Sequence, residues 1–334
     1  MAIVGHFKDL DEAQKLVQSV LLKGVVQEVY EEGQLLHMLP VTVIDSKSIK
    51  YNREKTLPGA AFYDIHEQIP WSADVDYATQ VEASLKRVVT QDILDNFMLK
   101  TYKDPNDYRS IVLSELRKGV MRTIEDKLIY GDDSTYPKEF DGLNELVDGT
   151  HAGGAKQIID QGGAAAPLTL ANLRKLIDLV KPKPDILLMT RTMRNTLSAA
   201  AWEKGLVLAN AQPVGTISYA KDEFGARVEY FDGVRIVVSD YLVNEADNTG
   251  KKSAASGMCS IYAIRFGQIQ DGGLCLVVGG ETGGVDFFKM TELEALEDYD
   301  AAGIRLTAYC GLALGSTKAL AKIESIDEDG VIAG

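Results

Sequence analysis

The stretch between Ile124 and Leu143 holds the densest group of side chains that could do chemistry. Its carboxylates and hydroxyls surround Gly131 and Gly142: Asp132, Asp133, Ser134, Thr135, Glu139 and Asp141. Oxygen ligands spaced around a glycine are typical of calcium loops, and paired carboxylates are typical of sugar-cleaving enzymes. A junction between two parts of the fold is the third possibility.

The spacing of these acidic residues argues against the first two possibilities. A calcium loop of the EF-hand kind needs a DxDxDG pattern with a glutamate at its twelfth position, and the stretch has neither. The nearby pair Glu125 and Asp126 lies on a predicted helix that also carries Arg122 and Lys127. Mixed charges of this kind are typical of a solvated helix face.

Other patterns that could mark an active site are also incomplete. The sequence GGETGG at 279–284 lacks the Lys-Ser/Thr of a phosphate-binding loop and is interpreted as a glycine turn between strands. No GxSxG elbow precedes a suitable histidine partner. The four histidines lie far apart, without the spacing of metal ligands: His6, His37, His66 and His151. The sequence therefore predicts no catalytic residue, no cofactor and no metal site, and the chain is not expected to be an enzyme.

Composition narrows the class of protein further. The chain has 334 residues, of which 46% are hydrophobic and 25% charged, enough for one large lobe or two lobes with an ordinary core. No apolar run approaches the roughly 18 residues that span a bilayer, and the start does not resemble a signal peptide. Three scattered cysteines without a CxxC pair favour reduced, packed thiols in a cytoplasmic setting: Cys259, Cys275 and Cys310.

The net charge of −14 argues against a surface that grips nucleic acid. Binding to phosphates depends on clusters of lysine and arginine, and the lysines of the loop GKKSAAS are too few for such a cluster. An acidic surface can nevertheless lie beside DNA without adhering to it.

The first third of the chain is predicted to contain a helix, a ribbon and a mixed segment. Residues 10–32 repeat apolar side chains at helical spacing. Residues 41–71 have short β-type runs separated by a turn at Pro58-Gly59, with too few apolar residues for a core of their own. Residues 74–99 are interpreted as a strand that passes into a helix.

The clearest helix spans about residues 105–130. Asp104 is a suitable N-cap, Pro105 occupies the first helical position and Gly131 follows as a stop signal. Apolar residues recur four apart along it: Tyr108, Val112, Leu116, Val120, Ile124 and Leu128. At 1.5 Å per residue the helix would be roughly 39 Å long, which suggests a structural spine.

The second half alternates helices and strands, which predicts an α+β fold. Thr169 should cap a helix, DILLMT should form a buried strand, and Asp232-Gly233 should form the two-residue turn of a hairpin. Further strands are predicted at 258–265, 274–278 and 285–290. In the last long strand the alternating residues should face one way: Ile304, Leu306, Ala308, Cys310 and Leu312.

This order of segments resembles the major capsid protein of tailed bacteriophages, which has the Hong Kong 97-type fold. EDKLIYGDDSTYPKEFDGL resembles the end of the family's spine helix and the entry to its axial domain, and KTLPGAAFYDIHEQIPWS resembles its extended loop. LANLRKLIDLVKPKPDILLMTRTMRNTLSAAA resembles the axial helix-strand-helix. Two further stretches resemble the closing strands of the family: IYAIRFGQIQDGGLCLVVGGETGGVDFFKM and DYDAAGIRLTAYCGLALGSTKALAKI. The acidic stretch at 124–143 is then best interpreted as a hinge between spine helix and axial domain.

The resemblance implies a division of the chain. It comprises an N-terminal arm, an extended β-hairpin loop, a peripheral domain with the spine helix, an axial domain, peripheral-domain strands, and a C-terminal strand and tail that return to the axial domain. The corresponding ranges are 1–40, 41–73, 74–143, 144–284, 285–316 and 317–334.

The resemblance also implies a function, namely self-assembly into the icosahedral shell around the double-stranded DNA genome of a tailed phage. The implied partners are the chain itself, as pentamers and hexamers, together with a portal, a separate scaffolding protein and a decoration protein. No sequence-specific DNA binding and no membrane are expected, and the location would be the virion, with assembly in the host cytoplasm. The alternatives are an encapsulin-like bacterial compartment shell and, from another class, a two-lobed enzyme.

Overall fold

The structure is a computed structural model, and it describes residues 33–54, 60–69, 78–96, 108–147, 157–161, 165–203, 217–221, 227–243, 245, 252, 257–280, 287–293, 300–328 and 330. The described helices are α1 Leu35–Met38, α2 Tyr108–Tyr130, α3 Leu143–Val147, α4 Leu170–Leu179 and α5 Arg191–Glu203. The helix predicted at 10–32, and the residues Asp104 and Pro105, lie outside the described residues.

Fourteen strands accompany these helices within the described ranges. They are β1 Val41–Ile44, β2 Ser48–Glu54, β3 Ala78–Ser84, β4 Lys86–Asp95, β5 Ile158–Asp160, β6 Ile186–Met189, β7 Ile217–Lys221, β8 Arg227–Phe231, β9 Val234–Val238, β10 Met258–Ile264, β11 Leu274–Gly279, β12 Lys289–Leu293, β13 Ala301–Leu314 and β14 Leu320–Asp327. This mixture of helices and strands is the α+β class that the sequence predicts.

The first sheet is built around the long strand β13. Its order is β1-β11-β13-β12, and β4 also pairs with β13. The alternation predicted for β13 is confirmed, because Ile304, Leu306, Ala308, Cys310 and Leu312 are all buried. Burial also raises the pKa of the Cys310 thiol to about 12, as expected for a packed, free cysteine.

Helix α2 covers the buried face of this sheet. Its 23 residues measure roughly 35 Å at 1.5 Å per residue. Val120, Ile124 and Leu128 are buried at intervals of four, as predicted, whereas Leu116 in the first half is only half-buried. The helix ends at Tyr130, directly before Gly131, so the predicted stop is confirmed.

The second sheet has seven strands in the order β5-β14-β10-β6-β9-β8-β7. Helices α4 and α5 pack on one of its faces through Leu173, Leu176, Met193 and Leu197. The predicted helix cap is confirmed, because Thr169 accepts a hydrogen bond from the Asn172 amide at 3.2 Å.

The hairpin β8–β9 also forms as predicted. Phe231 pairs with Val234 across the two-residue turn, and both turn residues have positive φ, 46° at Asp232 and 74° at Gly233. Positive φ at both positions matches the twist of adjacent strands and favours the Asp-Gly sequence.

The two sheets share one core. Leu128, Leu306 and Leu312 on the side of α2 and β13 belong to the same buried cluster as Leu188 and Tyr262 of the seven-stranded sheet. The chain passes from β10 to β11 through residues 265–273 and returns from β13 to β14. Neither sheet is therefore continuous in sequence.

Three predicted segments differ from the structure. Residues 78–96 within the predicted strand-helix segment form the strands β3 and β4, because β3 pairs with β2 and β4 pairs along β13. Val41–Ile44, predicted as part of the extended loop, pairs in parallel with β11 in the five-stranded sheet. The antiparallel pair β2–β3, here called the ribbon, therefore extends past the predicted 41–73 boundaries. Likewise β11, predicted within the axial range, joins the five-stranded sheet.

Candidate assembly surfaces

The acidic loop after α2 is held together by its own hydrogen bonds. The Asp132 carboxylate accepts bonds from the Ser134 hydroxyl and amide at 2.5 and 2.9 Å, and from the Thr135 hydroxyl and amide at 2.6 and 3.0 Å. These bonds, first those of the two hydroxyls, hold the pKa of Asp132 well below its usual range. The carboxylate is thus occupied by protein donors.

The neighbouring carboxylates are also paired with protein groups. Asp133 contacts Lys86 at 2.7 Å, Asp141 accepts from the Asp133 amide at 3.0 Å, and Glu139 contacts Lys127 at 2.7 Å. Among the described residues, no group of three His, Cys, Asp or Glu side chains could hold a metal ion. The geometry supports the junction interpretation of this loop.

A close backbone contact closes the junction loop. The Gly142 amide donates to the Gly131 carbonyl at 2.9 Å. A Cβ atom at Gly131 would lie 2.2 Å from the Phe140 carbonyl oxygen, and one at Gly142 would lie 2.7 Å from the Gly131 nitrogen. Both positions therefore require glycine, and this contact fixes where the chain leaves α2 and enters α3.

The other sequence candidates remain separate. Among the described residues, His37 lies within α1, far along the chain from His66, whereas His6 and His151 lie outside the described ranges. Gly279 ends β11 and Gly280 donates to the Ile44 carbonyl at 3.3 Å, but the rest of GGETGG lies outside the described residues. No described helix is long and apolar enough to span a membrane.

A buried charged network lies where the end of α2 and the start of α3 meet the seven-stranded sheet, and the sequence did not reveal it. The Lys322 side chain is 1% exposed, and its Nζ lies 2.8 Å from Asn144 Oδ1, 3.1 Å from Glu324 Oε2 and 4.0 Å from Glu245 Oε2. Glu245 also accepts from the Tyr130 hydroxyl at 2.8 Å and from the Ser260 hydroxyl.

This network connects the end of α2, the start of α3, and strands β10 and β14. Burial raises the pKa of Glu245, while Lys322 and the hydrogen bonds from Ser260 and Tyr130 act in the opposite direction. The members are distant in sequence and form no motif, so no linear signal could have identified them. The arrangement satisfies buried charges and joins the two halves of the fold.

The ribbon is firmly attached at its base. The Tyr51 hydroxyl donates to the Leu314 carbonyl at 2.6 Å, and Arg53 donates to the same carbonyl at 2.5 Å and to the Gly315 carbonyl at 3.1 Å. Ile49 and Tyr51 also pack against a small cluster that contains Cys275. The sequence predicts that the ribbon has little core of its own and contributes little to the fold of one subunit, but its base is covered by the body of the same subunit.

The ribbon tip is defined as residues 60–69, and among the described residues its hydrogen bonds are formed only within the tip itself. It exposes large apolar side chains, among which Phe62 is completely exposed and Ile65 and Ile69 are 85% and 64% exposed. Its described turn is closed by the Glu67 amide, which donates to the Asp64 carbonyl at 3.1 Å, and by Glu67 Oε2, which accepts from the Asp64 amide at 2.8 Å. A cluster of exposed apolar side chains in one short segment is typical of an interaction site.

A second exposed surface lies on the five-stranded sheet, on the side away from α2. We call it the sheet face, and its residues line a concavity of about 400 Å³: Arg87, Val89, Gln91, Lys289, Thr291, Arg305, Thr307 and Tyr309. The strand register brings them together, because Val89 and Lys289 both pair with Thr307. Three cations beside the exposed Val89 and Tyr309 give this face a basic and partly apolar character.

No family model and no curated protein sequence matches the chain. Solved structures match it over nearly its whole length. A chain of the holo-SrpI encapsulin complex from Synechococcus elongatus PCC 7942 is 17% identical with a TM-score of 0.71, covering 98% of this chain and 99% of that chain.

Two capsids show the same likeness. The capsid of a native GTA particle is 12% identical with a TM-score of 0.66, over 96% of this chain and 99% of that chain. The capsid of the cyanophage P-SCSP1u is 10% identical with a TM-score of 0.56, over 96% and 99%. These matches, all below 25% identity, show a shared fold over nearly the whole chain, and the chain has the Hong Kong 97-type capsid fold.

Proposed function

We propose that this chain is the major capsid protein of a tailed phage and assembles into the icosahedral shell around its double-stranded DNA. The observation that carries the proposal is the exposed ribbon tip. It belongs to a chain whose fold matches that of capsid proteins over nearly its whole length. An isolated subunit gains nothing from exposing Phe62 and Ile65, whereas a neighbour that covers them removes apolar surface from water.

The sheet face of a neighbouring copy is the surface that suits the ribbon tip. The tip carries the carboxylates of Asp64 and Glu67 among its apolar side chains, and the sheet face carries Arg87 and Arg305 around Val89. Opposite charges around an apolar centre give complementarity and orient the two surfaces. Repeated in a ring, such a head-to-tail contact closes into pentamers and hexamers.

The same proposal covers the contents and partners of the shell. A chain with a net charge of −14 should enclose DNA without sequence-specific binding. A portal, a separate scaffolding protein and a decoration protein are the further partners, and the virion, assembled in the host cytoplasm, is the location. No catalytic role is included. The division into arm, extended loop, peripheral domain and axial domain remains part of this proposal.

A second candidate function is an encapsulin-like bacterial compartment shell. It is favoured by the match to an encapsulin complex over 98% of this chain with a TM-score of 0.71. Both functions use the same contacts between subunits, and they differ in what the shell encloses.

Expression of the full chain, alone and with its neighbouring genes, tests both candidates. We expect rings or closed shells of defined diameter by negative-stain electron microscopy. Nuclease-protected DNA inside particles from infected or induced cells supports the capsid, and a co-purifying enzyme supports the compartment. A strictly monomeric species at high concentration in light scattering would contradict both, and substrate turnover by that monomer would favour an enzyme.

A further inference from the structure

The two connections between the sheets cross each other next to the ribbon. Residues 265–273 lead from β10 to β11, and residues 315–319 lead from β13 to β14. The Gly315 amide donates to the Gly273 carbonyl at 2.9 Å, which joins the two connections. We call this pair of connections the crossing. Because each connection links one sheet to the other, the crossing is a backbone joint between the two halves of the fold.

The crossing is packed so closely that side chains are excluded from it. A Cβ atom at Gly273 would lie 2.4 Å from the Gly267 Cα atom, and one at Gly315 would lie 2.5 Å from the Ile269 carbonyl oxygen. The Ser316 amide adds a second hydrogen bond between the two connections, 3.1 Å long. Backbone therefore meets backbone directly, and a shift of one connection must displace the other.

The ribbon is attached to this crossing through its first strand. Arg53, one residue before the end of β2, donates to the Leu314 carbonyl at 2.5 Å and to the Gly315 carbonyl at 3.1 Å. Tyr51 donates to the Leu314 carbonyl at 2.6 Å, and the Arg53 guanidinium carbon lies 5.7 Å from the centre of the Tyr51 ring. From the other connection, Ile269 packs against the same small buried cluster as Tyr51. The ribbon strand thus contacts both connections of the crossing.

This attachment matters because a two-stranded ribbon is weak by itself. An isolated antiparallel pair of strands is only marginally stable in water, and β2 and β3 pair over seven residues. The outer end of the pair, which leads to the exposed tip, should therefore open and close locally. Each opening would withdraw the Arg53 donors from the Leu314 and Gly315 carbonyls. Opening of the ribbon and loosening of the crossing are then one linked equilibrium.

We propose that Arg53 couples the ribbon tip to the crossing, so that a neighbour bound at the tip tightens the joint between the two sheets. The coupling rests on the proposed function in one respect, namely that a neighbouring copy covers the tip. A partner that binds only the closed ribbon shifts the ribbon toward its closed state, in which the Leu314 and Gly315 carbonyls keep their donors. By reciprocity, a loosened crossing weakens the contact at the tip by the same factor.

Hydrogen exchange of the full chain tests the coupling, first in dissociated subunits at low concentration. The measurement uses urea below the unfolding transition, where exchange through local opening does not depend on urea. We expect Arg53→Ala to accelerate exchange of the Gly315 and Ser316 amides at least about tenfold, although both amides donate to the other connection and not to Arg53. Lys50→Ala on the same strand, which removes an exposed ion pair with Glu82, is the matched control and should leave their exchange unchanged.

Unaltered exchange of both amides in Arg53→Ala would overturn the proposal. Acceleration that depends on urea would do the same, because the whole subunit would then be unfolding. This first comparison needs no shell, so it decides whether the ribbon and the crossing are linked even for a chain that forms no particles, a result that would contradict only the proposed function.

A second comparison sets assembled particles against dissociated subunits. We expect the Gly315 and Ser316 amides to exchange at least about tenfold more slowly in particles of the unsubstituted chain. Arg53→Lys keeps the charge but lacks the fork that spans two carbonyls, so it should lose most of this difference. Particles that form without slower exchange at these amides would refute the coupling and leave the proposed function intact. Slower exchange that persists undiminished in Arg53→Lys would also refute it, because a neighbour would then cover the crossing directly.

Discussion

The base and the tip of the ribbon belong to one continuous segment but have opposite relations to the rest of the subunit. At the base, Tyr51 and Arg53 donate to carbonyls at the end of β13 and pack beside buried residues. At the tip, Phe62 and Ile65 are exposed to solvent. The difference indicates that the base is part of the fold of one subunit, whereas the tip is stabilised only when a second copy covers it.

Replacing the ribbon tip, residues 60–69, with an equal length of Gly and Ser should have the largest effect. We expect shells to be lost entirely, because the exposed apolar side chains that a neighbour would cover are removed. The cooperative thermal transition of the subunit should survive, since the tip contacts no core. Circular dichroism and negative-stain images of one preparation measure both. An unfolded subunit, or normal shells, would break the comparison between base and tip.

Lys322→Met should cause the largest loss of subunit stability, by about 3–5 kcal/mol, because it leaves the buried Glu245 and the partly buried Glu324 without their cation. The free energy of unfolding from urea titration measures it. Lys318→Met, at an exposed position close by, is the control and should change it by less than about 0.5 kcal/mol. Equal effects of the two substitutions would show that the buried network does not stabilise the body to which the base is attached.

Arg53→Ala should destabilise the subunit by about 1–3 kcal/mol, because two carbonyls at the end of β13 lose a charged donor. Lys50→Ala on the same strand removes an exposed ion pair with Glu82, 3.2 Å long, and should leave the urea midpoint nearly unchanged. Urea midpoints of the two variants make the comparison. If Arg53→Ala had no effect on stability, the ribbon base, like the tip, would contribute nothing to the stability of one subunit, and the proposed difference between them would be wrong.

The smallest effect on stability is expected at the junction loop. This loop holds the start of β4, directly after the ribbon strand β3, because Lys86 contacts Asp133 and the Pro137 carbonyl. The folded pKa of Asp132 lies below its unfolded value, so its contribution is present above the unfolded pKa and is lost as pH falls through the folded one. Asp132→Asn should therefore cost about 1 kcal/mol at pH 7 and progressively less toward pH 2. A difference from the unsubstituted chain that stays constant with pH would contradict this account.

Local chemistry explains which parts of the fold could be predicted. The stop at Gly131, the cap at Thr169 and the hairpin turn at Asp232-Gly233 each depend on a few adjacent residues, and all three are confirmed. The sequence predicts a strand that passes into a helix over 74–99, whereas β4 forms there because it pairs with β13, which lies at the other end of the chain. A pairing over that distance leaves no mark in the local pattern.

The candidate surfaces also combine features that adjacent residues predict with features that depend on contacts between distant segments. The ribbon was predicted from its turn residues and sparse apolar content, but the attachment of Tyr51 and Arg53 to the end of β13 depends on a contact between distant segments. The sheet face brings Arg87, Lys289 and Arg305 together only through strand register. The predicted absence of a catalytic, cofactor or metal site stays a prediction.

The late position of β13 and β14 has a consequence for synthesis of the chain. Strand β13 pairs with β4, β11 and β12, and β14 lies between β5 and β10, so two strands that are synthesised after all the other described strands occupy the interior of both sheets. A chain that stops before residue 301 lacks both strands, so β4 and β12 lose the strand with which they pair and β5 is separated from β10. We expect such truncated products to fold incompletely and therefore to be excluded from a growing assembly. Synthesis of β13 and β14 is thus a condition for completing both sheets, and it provides a form of quality control.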